Sequence, residues 1–558
     1  MMKLRKAWID GAVLLFMLAV LLHLGYGRIL EHRLDHGYPF GYLAADTFQH
    51  QSRSDGVLRL GNFRYEPIQH FIGIYPHFPG YYPPVFLQLA AAWSGLSGLP
   101  TYVTAQALPF LTVALAMLLM YHIARRWHPV MALLSLPLFP FLFLSQAGVN
   151  AFTWGHWPQV TAQLFLILLV WLLCQPFWNP FLLAAAFASI VMGYTAYAPI
   201  AALLVAAYVT LALLTRTLEK EKVHALLIAS AMALALSLKT LHLFVNILIP
   251  TQGEVSVLRD WAAGGGVVHL AEFGLQAWLL VAGAVLSVML LAKSIRERGQ
   301  AERWLPLVFP LLMLVLGFTN LIGFGKRAFF LRLLWPIYLS LLVGVTLYHV
   351  GLLVGKKLTE ASAAAISLGA ILFIALTATA SAGGSIMSPE MWQLLSWLRD
   401  TTPQDAKLFF FYGDEFIGDN LWNVHRYHLR VMPEAVVEAL VNRSARRFWS
   451  TTINSDTLPF TLVPADHHKE NPFIWGWSAN NSYEYLLLRE RDMCEQDYLI
   501  FVKHSRQPVF AQYGQYLASK LLENPWFTLA FENDYGIVLR NSMPGASCIK
   551  EGPIEAAP

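Results

Sequence analysis

The sequence predicts a polytopic α-helical membrane protein with a smaller α/β domain at its C-terminal end. Three observations point there. Hydrophobic residues make up 56% of the 558 and charged ones only 13%, about half the charged share of soluble domains. The apolar residues gather into runs of bilayer-spanning length, and mean hydropathy is +0.49. Charge is also divided: residues 1–384 carry 24 basic and 14 acidic side chains, whereas 385–558 carry 15 and 21. A net +4 therefore hides two regions suited to different solvents.

Taken in order, apolar runs lie near 8–25, 104–124, 130–147, 158–175, 179–193, 197–214, 223–249, 274–292, 304–322, 328–350 and 362–382. About eleven transmembrane helices are expected from a window of roughly 20 residues. The stretch 85–97 is too short to cross and reads as an interfacial or re-entrant helix. The first run follows a basic start, "MMKLRK", without a small-residue cleavage site, so it reads as a retained anchor. Placing the N-terminus in the cytoplasm puts Lys3, Arg5, Lys6, Arg125, Arg126, Arg216, Lys220, Lys222, Lys293, Arg296, Arg298, Arg303, Lys356 and Lys357 on the inner side. The expected location is the cytoplasmic (inner) membrane, with the large first loop 26–84 and the region 385–558 extracytoplasmic.

In that last region "SPEMWQLLSWLRDTTPQDA" starts as a helix at Ser388 and Pro389, and "KLFFFYG", "DYLIFV" and "YGIVLRN" are β-prone. The expected domains are thus 1–384, the membrane region, and 385–558, a compact α/β unit. Cys494 and Cys548 fall in a compartment that permits a disulfide, and two free thiols fit the spacing equally well. The glycines of "AAGGGVV" lack the spacing and context of a phosphate cradle, and soluble-phase ATP chemistry is not indicated. No nucleic acid is expected as a partner.

The first external loop concentrates the chemistry. Asp46 precedes His50 by four residues, which puts both on one face of a helix. A carboxylate beside a low-dielectric surface can act as a general base or hold a divalent cation. It can equally cap the helix "TFQHQSRSD". "HFPGYYPPVF" then combines angle-fixing prolines with aromatics that favour the headgroup region. Lys326, Arg327 and Arg332 break the positive-inside pattern near the outer face. They can hold a phosphate or snorkel to headgroups, and Arg332 can also pair internally. Lys239, mid-span in "LALALSLKTLHLF", reads as an interhelical pairing residue.

"ADTFQH", a basic run, then "YYPPVF" and "LSGL" resemble the first external loop of the C-type glycosyltransferase superfamily (GT-C). "TWGHWPQVTAQLFLILLV" (153–170), "GKRAFFLRLLWPIYLSLLVGV" (325–345), "LSWLRDTTPQDAKLFFF" and "FENDYGIVLRN" are similar to later parts of that family. The resemblance implies a multi-pass, inverting enzyme that moves a sugar from a polyprenyl-phosphate or diphosphate carrier to a glycan, lipid or protein acceptor. It implies Asp46 as the catalytic acid or base, with His50, Tyr82, His156, Glu254, Lys326, Arg327 and Arg332 as substrate-binding positions. Glu254 enters through "TQGE", which is similar to a Thr-x-x-Glu loop motif of the oligosaccharyltransferases. Two departures limit the carry-over. Residues 145–157 contain no acid where oligosaccharyltransferases place an Asp-x-Asp-like pair, so a divalent cation, Mg or Mn, stays open and no cofactor is assigned. The Trp-Trp-Asp-Tyr-Gly signature is missing, "WGWSANN" being a superficial echo, so transfer to protein asparagine is not carried over. The alternatives are a lipid-linked glycan transporter or flippase, and a catalytically inactive scaffold of the same fold.

Overall fold

The computed structural model describes residues 2–25, 83–143, 146–243, 276–318, 334–355, 358–377, 388–403, 408–411, 497–503 and 521–545, with scattered residues between, among them several in 37–58. The chain divides into two compact units, one of residues 1–36 with 81–383 and the other of 37–80 with 384–558.

The first unit is helical throughout its described residues. In chain order it contains α1 (Met2–Leu21), α2 (Pro84–Ser97), α3 (Thr101–Trp127), α4 (Pro129–Ser135), α5 (Gln146–Thr153), α6 (Trp157–Leu173), α7 (Pro180–Gly193), α8 (Ala198–Thr215), α9 (Lys220–Leu243), α10 (Gln276–Arg296), α11 (Ala301–Gly317), α12 (Pro336–Leu353) and α13 (Glu360–Thr377). Among the described residues seven helices are long and apolar enough to cross a membrane, and the segments Pro129–Phe143, Trp157–Leu173 and Pro180–Gly193 are shorter and apolar. Together with α11, these coincide with the apolar runs read from the sequence.

Local chemistry sets the starts. Proline opens α2, α4, α6, α7, α8 and α12, where its missing N–H would have had no intrahelical partner. At α7 the Asn179 side chain also accepts from the Phe181 N–H at 2.9 Å, capping the first turn. α4 continues as a 3-10 segment, Leu136–Phe143, with Pro140 inside it, because proline removes an α-helical hydrogen bond and favours the tighter winding.

The core is built around α12, which is buried at every position from Pro336 to Thr346. A helix apolar on all sides belongs in the interior. Small residues let its neighbours close on it: a Cβ on Gly344 would collide with the Met131 carbonyl, and one on Gly283 with the Leu342 carbonyl. The Thr346 hydroxyl donates across to the Leu279 carbonyl at 2.6 Å. Lys239 is exposed on α9 and pairs with none of the described residues. Its long stem lets the ammonium reach out from an apolar surface.

In the second unit, α14 (Pro389–Thr401) is capped by the Ser388 hydroxyl, which accepts from the Met391 N–H at 3.1 Å. Four strands, β1 (Leu408–Phe411), β2 (Tyr498–Val502), β3 (Phe527–Glu532) and β4 (Gly536–Asn541), form one sheet in the order β1-β2-β4-β3. β1 and β2 run parallel, with Leu408 opposite Tyr498, and the other pairs are antiparallel. β2 is buried at all five positions, as a central strand covered on both faces must be. Asn533 forms the β3–β4 turn by accepting from the Gly536 N–H at 3.1 Å, and its amide donates to the Glu390 carbonyl at 2.8 Å, which ties the turn to α14. Tyr38, from the first-loop stretch, lies with its ring 6.4 Å from that of Trp392. Burial, with the Glu390 carboxylate nearby, raises the Tyr38 phenol above its ordinary value.

Candidate functional site

The helix ends of the first unit divide into two sets with different chemistry. One set joins the chain's charged residues. Arg125 at the end of α3 donates through Nε to Asp10 of α1 at 3.0 Å and through Nη2 to Glu360 of α13 at 2.8 Å, and Tyr121 donates to the same Asp10 at 2.8 Å. Lys222 of α9 reaches Glu302 of α11 at 2.5 Å, Glu302 also accepts from Tyr208 at 2.6 Å, and the ammonium sits 5.8 Å from the Trp178 ring centroid. Arg126 to Gln175, and the rings of Trp127 and Trp304, link the two groups into one layer. This is the end at which the basic residues were expected to gather.

At the opposite ends the described residues that pack together are aromatic and uncharged. Trp157, at the start of α6, is buried against Phe86 of α2 at 5.6 Å between ring centroids, and its indole N–H donates to the Phe152 carbonyl at 2.8 Å. One and two turns into α6 stand Gln159 and Gln163, both buried in an otherwise apolar helix. The Gln163 amide donates to the Tyr197 hydroxyl at 3.2 Å, just before α8. Tyr197 lies within electrostatic reach of Tyr338 in the first turn of α12. The Tyr338 ring packs 5.2 Å from Trp335 and 5.1 Å from Phe309 of α11. Three polar atoms here are buried with no hydrogen-bond partner among the described residues: Gln159 Oε1, Trp335 Nε1 and Tyr338 OH.

Of the residues singled out from sequence, two are described. His156 is half-buried immediately before α6, with its carbonyl accepting from the Val160 N–H at 3.0 Å, so it stands at the neutral, aromatic end. His50 belongs to the second unit and is fully buried. Around it Thr47, Gln51, Arg53 and Ser54 are buried as well, with helical backbone at each and the Ser54 hydroxyl donating to the His50 carbonyl at 2.9 Å. The expected helix after Asp46 is therefore present in those residues, and the side it buries is polar. Asp46, Tyr82, Glu254, Lys326, Arg327 and Arg332 lie outside the described residues, as do Cys494 and Cys548. Among the described residues no three His, Cys, Asp or Glu side chains come together as a metal site. Asp46, the acid that could hold a divalent cation, is outside that set, and no metal is assigned.

Gln159, Gln163, Tyr197, Trp335 and Tyr338 were not singled out by sequence reasoning. A signal existed: two glutamines four residues apart in an apolar span face the same side, and polar groups at membrane depth are costly unless they face a partner or a cavity.

No family model and no curated protein matches the sequence. The fold does have solved counterparts. The archaeal oligosaccharyltransferase AglB from Archaeoglobus fulgidus, in complex with an inhibitory peptide and a dolichol-phosphate, superposes with a TM-score of 0.50 over 99% of this chain and 75% of its own, at 12% identity. An Archaeoglobus fulgidus oligosaccharyltransferase in complex with Zn and sulfate superposes at 0.51 over 95% and 88%, also at 12% identity. ArnT from Cupriavidus metallidurans bound to undecaprenyl phosphate gives a TM-score of 0.45 over 96% of this chain and 99% of its own, at 12% identity. The chain thus shares the fold of the two Archaeoglobus fulgidus structures along most of its length.

Proposed function

We propose that this chain is a membrane glycosyltransferase that moves a sugar from a polyprenyl-phosphate or diphosphate carrier to an acceptor on the extracytoplasmic side. The observation that carries the reading is the likeness of fold along 99% of the chain to an enzyme whose structure holds dolichol-phosphate and a peptide. The charge layer supports the sidedness. Arg125, Arg126 and Lys222 lie together at one end of the helical unit, the end that the positive-inside rule assigns to the cytoplasm.

In this reading the carrier's isoprenoid tail lies in the bilayer against the helices, and Lys326, Arg327 and Arg332 hold its phosphate, guanidinium being suited to bidentate phosphate contacts. The acceptor's oxygen or nitrogen attacks the anomeric carbon from the face opposite the phosphate. Asp46 takes the acceptor's proton as that bond forms. The anomeric C–O bond breaks, its electron pair leaves with the carrier phosphate, and the configuration at carbon inverts. His50, one turn beyond Asp46, orients the carboxylate.

Membranes containing the wild type or Asp46→Asn, supplied with radiolabelled polyprenyl-phosphate sugars, test this directly. General-base assistance is worth about 10²–10⁴ in rate, far more than a lost helix cap would remove from a folded enzyme. Equal transfer by the two proteins would overturn the assignment of Asp46. Transfer by neither would overturn the enzyme.

A further inference from the structure

We propose that the neutral cluster of Gln159, Gln163, Tyr197, Trp335 and Tyr338 is the subsite that recognises the sugar of the carrier-linked donor by its hydroxyl groups. The inference rests on the carrier-dependent transfer proposed above and names the part of the substrate that this end of the helical unit reads.

The starting point is a cost. Gln159 Oε1, Trp335 Nε1 and Tyr338 OH are buried without partners, and Tyr338 is 0% and Gln159 4% exposed. In an apolar bundle bulk water is not there to satisfy them, and each such group left unpaired costs about 1–3 kcal/mol. They stand at one end of the helical unit: Gln159 lies one turn before Gln163 on α6, Gln163 bridges to Tyr197, Tyr197 lies within electrostatic reach of Tyr338, and Tyr338 packs on Trp335. A set of unpaired groups is stable when something with complementary hydrogen bonds completes it.

The chemistry of the cluster selects the occupant. None of the five side chains carries a charge, so the cluster is poorly suited to a phosphate, which is matched by guanidinium, ammonium or convergent backbone amides. Glutamine amides and tyrosine hydroxyls both donate and accept, as sugar hydroxyls do, and indole N–H adds a donor. Trp335, Tyr338 and Phe309, packed edge to face 5.1–5.2 Å apart in successive pairs, make the surroundings of these polar groups aromatic, the kind of lining that suits the C–H side of a pyranose. Recognition by groups that are costly when unpaired is also discriminating, because a ligand lacking the matching hydroxyl leaves them buried and empty.

The test uses the purified full-length protein in nanodiscs. Binding of undecaprenyl phosphate is compared with binding of its mannosyl, glucosyl, galactosyl and N-acetylglucosaminyl monoesters, for the wild type, Tyr338→Phe and Gln159→Leu, with thermal melting as the check on folding. The expected result is that the wild type binds at least one glycosylated carrier more tightly than the bare one. Each variant then loses about two- to tenfold of that preference, the worth of one hydrogen bond, with affinity for bare undecaprenyl phosphate unchanged. Should Tyr338→Phe and Gln159→Leu keep the wild-type ratio, the cluster is a structural feature bridged by water and the proposal fails. It fails equally if the wild type binds every glycosylated carrier no better than the bare one. In both cases binding of the bare carrier leaves the carrier-dependent reading standing, whereas loss of all lipid binding by the wild type would overturn that reading too.

Discussion

The two ends of the helical unit solve the same problem in opposite ways. Both bury polar side chains in an apolar bundle, yet one end holds charges matched to one another and the other holds neutral groups, several unmatched. At the first end Arg125 joins three helices through two carboxylates, and Lys222 and Glu302 join two more. At the second, Gln159, Trp335 and Tyr338 each keep a buried atom unpaired. A charge layer completed from within fixes helix positions. A neutral layer completed from outside is what a binding site requires, because its last hydrogen bonds are left for a ligand.

The contrast can be broken most violently at Arg125. Arg125→Ala would take the shared cation from Asp10 and Glu360, whose side chains are 24% and 18% exposed, leaving Asp10 the Tyr121 hydroxyl, and breaking a buried charge pair from one side costs up to about 3–5 kcal/mol. A large drop in melting temperature, or loss of monodisperse protein, is expected in detergent. A wild-type melting curve would mean that the charge layer does not clamp α1, α3 and α13. Glu302→Ala should do somewhat less harm, because Lys222 keeps Glu219 at 3.1 Å, and the double change Lys222→Met/Glu302→Leu should recover part of the loss by removing both charges together. A double variant no more stable than Glu302→Ala would show that the pair contributes through packing alone. The second unit supplies the low end of the scale. Lys503 and Glu532 pair at 2.6 Å with Glu532 45% exposed, and Lys503→Ala should change stability by less than about 1 kcal/mol.

How much of this was legible in the sequence depended on the range of the interaction. Helix starts are local, so Ser388 and Pro389 marked α14 without any knowledge of its neighbours. Hydropathy is nearly local, so the apolar runs matched the helices. Three strands stood out as β-prone runs, but β3 did not. Its burial alternates irregularly, and a register shift between Leu529 and Phe531 breaks the period-2 pattern. The parallel pairing of β1 with β2 joins residues some ninety positions apart, and nothing in either strand names the other. The site divides the same way. His50 and His156 were chosen by residue type and by resemblance, and the polar burial around His50 could not be read from spacing. Gln159, Gln163, Trp335 and Tyr338 sat inside motifs that read as apolar spans, because four polar atoms barely change the mean of a twenty-residue window. Their placement depends on partners far along the chain, Tyr197 for Gln163 and Phe309 for Tyr338.

The sharpest form of the comparison is also its smallest expected effect on stability. Tyr338→Phe removes a single hydroxyl from a residue with no exposed surface. If that oxygen were part of a closed internal network, its loss would cost about 1 kcal/mol or more, as deletion of one partner of a buried hydrogen bond does. The hydroxyl has no partner among the described residues, so the substitution takes away an unsatisfied group and leaves the ring packed on Trp335 and Phe309. Melting of the free protein should therefore shift little or rise, while the additional stabilisation conferred by a glycosylated carrier should shrink, since ligand binding stabilises by an amount set by affinity. Destabilisation of the free protein comparable to that of Glu302→Ala would show that both ends are closed from within. The distinction between a clamp and a binding layer would then be lost.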